Sequence, residues 1–401
     1  MKKKSLLFTI SAVTLPFVTV PPSPKEPQRL VNRPRTRLAC LPTPLHPLRR
    51  LTAELGGAEI WIKRDDLTGL AGGGNKTRKL EFVVADALEA SATVLVTVGA
   101  VQSNHTRQTA AAAAKVRLDC VLLHNNWAPA PGPYYRRVGN VLLSDLLGAR
   151  LYYDATKRPI GDDGQLEALV EHLRAEGGRP YLIPGGVSEH RLGGLGYVVC
   201  ATEIVAQAHA LGLDFDCVIH CTGSSSTQAG LLAGFAALRS QTRVIGVSDD
   251  HETAAKAGRV LRLANATLDE LDLPTTISRT DVEVITADPN PYGVAAPETI
   301  AAMRWLARTE GIIADPVYEG KALRGLIELI RGGVLDGGNR VLLLHLGGTP
   351  AVHAYADQVW QDSLRDLRTL GLPARRSAIA TASRSSVTTS TPTLPAESAP
   401  G

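Results

Sequence analysis

Gly72-Gly73-Gly74-Asn75-Lys76-Thr77-Arg78-Lys79-Leu80-Glu81 is the stretch from which the rest of the chain is best read. The glycines let the backbone come close to a flat ligand. They set one lysine at the mouth of a helix whose first turn carries Arg78 and Lys79. A lysine amine forms a Schiff base with an aldehyde once it is neutral, and nearby positive charge favours the neutral form. By itself the run is equally compatible with a loop of solvated basic residues, so what flanks it decides.

Outward from it, short β-branched segments alternate with amphipathic ones. Residues 93–97, 120–123, 181–183, 217–220, 243–247 and 341–344 read as strands. Residues 103–115, 136–147, 194–210, 227–238 and 254–268 read as helices. This alternation predicts an α/β fold with open, mostly parallel sheets flanked by helices. Ligands in such folds bind at the carboxyl ends of strands, so the loops that follow strands carry the information.

The chain has 401 residues, 20% charged and 44% hydrophobic, with a net charge of +4. No basic stripe interleaves with aromatics, so nucleic acid is not expected as a partner. The cysteines, Cys40, Cys120, Cys200, Cys217 and Cys221, are odd in number and irregular in spacing, which argues against a disulfide framework. Cys217 and Cys221 lack a second cysteine or histidine pair, so no metal site is expected.

At the amino end, Lys2 to Lys4 precede an apolar run over 6–20 and then prolines. This has the charged and apolar regions of a signal peptide without a clear cleavage site. The arginines of 27–38, with no acid among them, fit an organelle presequence as well. Residues 1–35 are read as an extension or targeting segment outside the fold, too short in its apolar part for stable membrane insertion. Residues 373–401, rich in Ser, Thr, Ala and Pro, read as a disordered tail.

Three post-strand loops stand out. In 99–106, Ser103 or Asn104 can cap a helix whose free amides suit a carboxylate or phosphate, with His105 beside them; plain capping is the alternative. In 222–230, Ser224, Ser225, Ser226 and Thr227 supply hydroxyl and backbone donors to a phosphate. The loop lacks the lysine of a nucleotide P-loop, which disfavours ATP. In 315–321, Tyr318 and Glu319 adjoin a glycine that starts a helix. A carboxylate there could keep a pyridine nitrogen protonated, and Tyr318 could act as acid or nucleophile if its pKa is lowered. Tyr292 lies in a further loop, where packing alone would account for it. A Schiff-base lysine, a phosphate cup, a carboxylate-binding helix start and a tyrosine–acid pair form the set that pyridoxal 5'-phosphate and an amino-acid substrate require.

The chain also resembles a known family. Ile62-Lys63-Arg64-Asp65-Asp66, Gly73 to Glu81, Gln102-Ser103-Asn104, Arg137-Val138-Gly139-Asn140, Ser188-Glu189-His190, Gly193-Gly194-Leu195-Gly196, Asp315 to Lys321 and His345-Leu346-Gly347-Gly348 look like the 1-aminocyclopropane-1-carboxylate (ACC) deaminase and D-cysteine desulfhydrase family. The likeness spans roughly residues 38–360. It implies the two-domain fold of the tryptophan-synthase-β-like pyridoxal phosphate enzymes, a homodimer and a cytoplasmic location. A large cofactor-binding domain would comprise 36–78 and 187–372, with a small α/β domain inserted at 79–186. Carried over by position, Lys76 would be the Schiff-base lysine and Asn104 would bond the cofactor's 3-hydroxyl. Ser103, Asn104 and His105 would hold the substrate carboxylate, with Ser103 able to shuttle a proton. Ser224 to Thr227 would cup the phosphate, Glu319 would face the pyridine nitrogen, and Tyr292 and Tyr318 would approach the substrate.

The substrate markers are mixed. Glu319, Leu346, Trp127 and Gln228 match the deaminases, whereas His105 and Lys63-Arg64-Asp65-Asp66 look more like the desulfhydrases. The Ser224-Ser225-Ser226 loop departs from the glycine-containing loop of both groups. A strong electron sink suits opening a cyclopropane, which has no good leaving group, so the reading favours ACC deamination to 2-oxobutanoate and ammonia. D-cysteine elimination and an L-cysteate-type β-elimination are the alternatives. A catalytically silent cofactor-binding protein is disfavoured because Ser103, Tyr292, Tyr318 and Glu319 are all present. A nicotinamide oxidoreductase is disfavoured because no G-x-G-x-x-G follows the first strand.

Overall fold

The strands are β1 (Leu45–Pro47), β2 (Glu59–Arg64), β3 (Val94–Ala100), β4 (Asp119–Asn125), β5 (Arg150–Asp154), β6 (Pro180–Ile183), β7 (Cys217–Thr222), β8 (Arg243–Ser248), β9 (Glu283–Ile285) and β10 (Arg340–His345). They come from a computed structural model that describes residues 26–361 apart from Arg158 and Asp163. They build a six-stranded sheet in the order β1-β2-β10-β7-β8-β9 and a four-stranded sheet in the order β5-β4-β3-β6. Every neighbouring pair is parallel except β1–β2. The α/β fold expected from the alternation is the one observed.

The central strands are apolar because both their faces are covered. Every residue of β3 and of β7 is buried. Helices Leu195–Leu211 and Ser226–Ala237 pack closely through small residues: a Cβ on Gly230 would lie 2.2 Å from the carbonyl oxygen of Gly194. Leu95 and Ile183 of the four-stranded sheet share one buried cluster with Val218 and Val244 of the six-stranded sheet. The described residues through Val359 accordingly form one compact unit.

Some elements differ from the sequence reading. The helix expected over 136–147 is only Asn140–Leu146, because Gly139 takes φ 69° and turns the chain just before it. The short strands β1, β5 and β9 carry little apolar pattern, since none is buried throughout. β2 escaped notice because its Lys63 is a buried charge, ion-paired with Glu203 at 3.0 Å. Residues 26–35 pack on the fold rather than trailing from it: Leu30 joins the core, Arg33 pairs with Glu270, and Arg35 Nε donates to Glu81 at 2.6 Å. Residues 1–25 and the tail expected over 373–401 lie outside the described residues. Among the described residues, no helix is long and apolar enough to cross a membrane.

Candidate active site

The glycine turn is held in a shape that only glycine tolerates at its centre. Gly73 sits at φ 69°, and a Cβ there would lie 1.9 Å from Asp66 O. Thr68 Oγ1 accepts from Gly74 N at 2.7 Å, while Arg107 Nη1 donates to the carbonyls of Ala71 at 2.9 Å and Gly73 at 2.7 Å. The next helix, Lys76–Glu89, begins with the lysine itself. Lys76 Nζ donates to Asn75 Oδ1 at 3.1 Å, and Asn75 Nδ2 donates to Thr227 Oγ1 at 3.2 Å, linking the lysine to the serine-rich loop.

Burial pulls the Lys76 amine down to about 8; Cys221, Asp249 and Glu319 pull it back up, and Arg107 lowers it further. The flanking charges therefore work differently from what the sequence led us to expect. Arg78 is sequestered between Asp65 (2.8 Å) and Glu203 (2.9 Å), and Lys79 Nζ donates to Ser226 Oγ at 2.8 Å. Burial, rather than Arg78 and Lys79, is the main reason Lys76 is readily neutral.

Ser103 caps helix Asn104–Val116 as expected, its Oγ accepting from His105 N at 3.2 Å and Thr106 N at 3.3 Å. The His105 ring turns inward: Nε2 contacts Thr97 Oγ1 at 2.8 Å, Nδ1 faces Thr109 Oγ1 at 3.5 Å, and burial holds its pKa well below the usual value. After β7, Ser225 occupies φ 68°, a left-handed conformation where glycine would sit without strain. The Thr222 and Ser225 hydroxyls have no hydrogen-bond partner among the described residues. Ser226 is directed instead toward Lys79.

Helix Glu319–Arg331 is capped by Asp315, whose carboxylate accepts from Val317 N (2.9 Å), Tyr318 N (3.1 Å) and Glu319 N (3.0 Å). Glu319 is 3% exposed, its Oε1 has no partner among the described residues, and burial pushes its carboxyl well above the carboxylate range. The hydroxyls of Tyr292 and Tyr318 lie 2.7 Å apart. Burial raises both phenols, so the lowered pKa that would make Tyr318 a nucleophile is not found; both stay protonated.

These residues surround one cavity of about 300 Å3. Of the residues picked out in the sequence, Lys76, Ser103, Asn104, His105, Ser224, Ser225 and Thr227 line it, as do Tyr292, Tyr318, Glu319 and Leu346; Ser226 does not. Asp249, Asp250 and Lys256 line it too and were missed. Lys256 Nζ lies 2.5 Å from Asp249 Oδ1, contacts Asp250, and donates to Ser248 Oγ at 3.0 Å. A signal existed, since Asp249 directly follows a strand, but no glycine or hydroxyl run marked it.

The wall fits pyridoxal phosphate. Unpartnered hydroxyls at the start of helix Ser226–Ala237 match a phosphate, an unpartnered buried carboxyl matches a ring nitrogen, and a deprotonatable lysine matches an aldehyde.

Residues 36–347 match the family described as pyridoxal-phosphate dependent enzyme. The chain belongs to that class, and within it to the ACC deaminase and D-cysteine desulfhydrase family. It is 45% identical to the 1-aminocyclopropane-1-carboxylate deaminase of Burkholderia multivorans over 80% of this chain and 96% of that one. It is 46% identical to the enzyme of the same name from Mesorhizobium japonicum, over 78% and 94% respectively. A solved structure titled as an ACC deaminase homologue superposes with a TM-score of 0.75 at 34% identity, covering 82% of this chain and 97% of that one.

Proposed function

We propose that the protein is an ACC deaminase, converting ACC and water to 2-oxobutanoate and ammonia. The observation that carries this reading is where the substrate markers fall. Three of the four deaminase-like residues, Glu319, Leu346 and Trp127, line the cavity; the fourth, Gln228, lies behind it, its Nε2 donating to the carbonyl of Glu283 at 2.7 Å. Among the desulfhydrase-like residues, Lys63 and Asp65 are spent in the buried ion-pair scaffold and Arg64 pairs with Asp66 at 2.6 Å; His105 does line the cavity, but its ring is engaged by threonines. The identity to deaminases along nearly their whole length supports the same choice.

When bound, pyridoxal phosphate supplies an electron-withdrawing ring that weakens bonds at the substrate's α-carbon. The rest is the work of this chain. The helix start at Ser103 and Asn104 binds the substrate carboxylate through its polar side chains and the positive end of the helix, the His105 and Thr106 amides being capped by Ser103 Oγ. Glu319 would face the ring nitrogen, where its buried carboxyl, which holds a proton more tightly than usual, would share that proton with the ring. The paired Tyr292 and Tyr318 hydroxyls, kept protonated by burial, can deliver a proton to carbon as the three-membered ring opens. Lys76, whose free amine burial lowers to about 8 in the cofactor-free protein, would exchange protons at neutral pH once the substrate has displaced it. Thr222, Ser224, Ser225 and Thr227 anchor the phosphate, and Leu346 shapes an apolar wall against a small hydrocarbon ring.

The test is the double variant Glu319→Thr with Leu346→Thr. It should move the ratio of 2-oxobutanoate formed from ACC to pyruvate formed from D-cysteine toward pyruvate by tenfold or more, on the order expected for losing one charged contact. An unchanged ratio would remove these residues from substrate choice.

We also propose that residues 79–186, which hold β3 to β6, form the small domain inserted in the large one. Limited proteolysis that never cuts near its boundaries would count against this. We propose a homodimer as well. Leu142 and Leu146, 43% and 72% exposed on helix Asn140–Leu146, are apolar surface that a second copy could cover, and sedimentation equilibrium returning a monomer would contradict it. The cytoplasmic location implied by the family resemblance is testable by cell fractionation.

A further inference from the structure

Asn104 faces the cavity, and which end of its amide does so is decided by residues behind it. Arg107 is fully buried, and a guanidinium only donates hydrogen bonds. Burial pulls it down to about 9, so it remains a cation at neutral pH. Its Nε donates to Asn140 Oδ1 at 3.1 Å. With its oxygen turned to Arg107, Asn140 presents Nδ2 on the other side. That nitrogen donates to the carbonyl of Gln102 and to Asn104 Oδ1, each at 2.9 Å. Arg107 Nη2 reaches the same Asn104 oxygen at 3.4 Å. Gln102 locks the relay: its Oε1 accepts from Asn140 N at 2.9 Å, and its Nε2 donates to the carbonyls of Tyr135 at 2.6 Å and Val138 at 2.8 Å.

Each hydrogen bond thus dictates the direction of the next, starting from a residue that cannot accept one. The Asn104 oxygen is held twice from behind, and its nitrogen is the end left for the cavity. Turning that amide over would set its NH2 against the NH2 of Asn140 and the guanidinium of Arg107.

We propose that Arg107 and Asn140 are positioning residues that fix the polarity of Asn104, so that it donates to an anionic ring oxygen of the bound cofactor instead of accepting from a protonated one. The proposal rests on the reading that the cavity holds pyridoxal phosphate at Lys76 with Asn104 beside the ring oxygen. Arg107 also carries the carbonyls of Ala71 and Gly73, so one buried cation sets both the lysine turn and the polarity of the group facing it.

The test uses the cofactor-loaded protein and the isosteric substitution Asn140→Asp. Aspartate gives Asn104 an acceptor where it had its 2.9 Å donor and leaves only the longer 3.4 Å contact from Arg107 on the Asn104 oxygen, so the balance turns the Asn104 nitrogen inward and its oxygen to the cavity. The ratio of visible to near-ultraviolet absorbance of the lysine-bound cofactor at neutral pH should fall about tenfold, the scale on which one reversed hydrogen bond shifts a proton equilibrium. Titration of the apoprotein with pyridoxal phosphate, followed by tryptophan fluorescence, should show weaker binding, with circular dichroism unchanged. A variant spectrum superposable on wild type overturns the proposal alone. A wild-type protein that develops no visible band overturns it together with the cofactor reading. If Asn140→Asp does not fold, neutron diffraction from deuterated wild-type holoenzyme decides. Deuterium between the Asn104 nitrogen and the ring oxygen is the expected result, and the amide oxygen facing the ring overturns the proposal.

Discussion

Replacing Glu319 by glutamine should make the protein more stable without cofactor and less active with it. The carboxyl is 3% exposed, lacks a partner for Oε1 among the described residues, and is pushed well above the carboxylate range by burial. An acid whose folded pKa is raised binds its proton more tightly in the folded state. It therefore costs stability as pH climbs from the unfolded value of about 4.3 toward the folded one. Glutamine removes that cost while keeping the shape, so the apoprotein variant should unfold at higher urea than wild type at pH 7, and the two should converge near pH 4. In the loaded enzyme, glutamine can bond the ring nitrogen but cannot hold the shared proton. Losing a hydrogen bond to a charged group is worth about 1.5–3 kcal/mol, or about 10- to 150-fold in turnover. The assay is 2-oxobutanoate release from ACC by the loaded variant, beside pyruvate release from D-cysteine, where a good leaving group demands less of the ring. Full ACC turnover, or apoprotein stability falling below wild type at pH 7, would refute the role assigned to this carboxyl.

Lys76→Ala should abolish the visible absorption of the cofactor-loaded protein, and a retained band would take Lys76 out of the site. Because the amine lies near 8, the rate at which the apoprotein develops that band on mixing with pyridoxal phosphate should rise with pH through about 8 and then level off; a pH-independent rate between 6 and 9 would contradict a buried, titrating lysine. Asp249→Asn should move that midpoint downward, since Asp249 helps hold the proton on Lys76, and an unmoved midpoint would place the carboxylate too far away to matter. Asp65→Asn should cost about 3 kcal/mol in urea unfolding by leaving Arg78 partly uncompensated in the core; a loss under 1 kcal/mol would mean that Glu203 alone satisfies it.

What could be read from the sequence was what local chemistry encodes. Lys76 on its glycine turn, Ser103 as a cap, the hydroxyls after β7 and Glu319 all sit at helix starts, where residue type and conformation are tightly coupled, although the loop before Glu319 follows helix Pro297–Glu310 and not a strand as the sequence suggested. Features that depend on distant parts of the chain were hidden. Asn140 touches Asn104 from 36 positions away, and nothing in either residue's neighbourhood reveals that pairing. The direction of the Tyr318 shift and the cause of the Lys76 shift both depend on burial, which the flanking residues do not disclose. Ser226 looked equivalent to its neighbours in a run of three serines, yet its place in the first turn of the helix sends it to Lys79 and out of the cavity. The departure of Ser224-Ser225-Ser226 from a glycine-containing loop has a local consequence, since Ser225 takes a left-handed backbone that glycine would adopt without strain.

The most direct measurement is to incubate the purified, cofactor-loaded protein separately with ACC and with D-cysteine and to identify the keto acid formed. Release of 2-oxobutanoate and ammonia from ACC in equal amounts is the predicted result. Pyruvate and sulfide from D-cysteine, with no product from ACC, would contradict it and would mean that the cavity-lining Glu319 and Leu346 do not set the substrate.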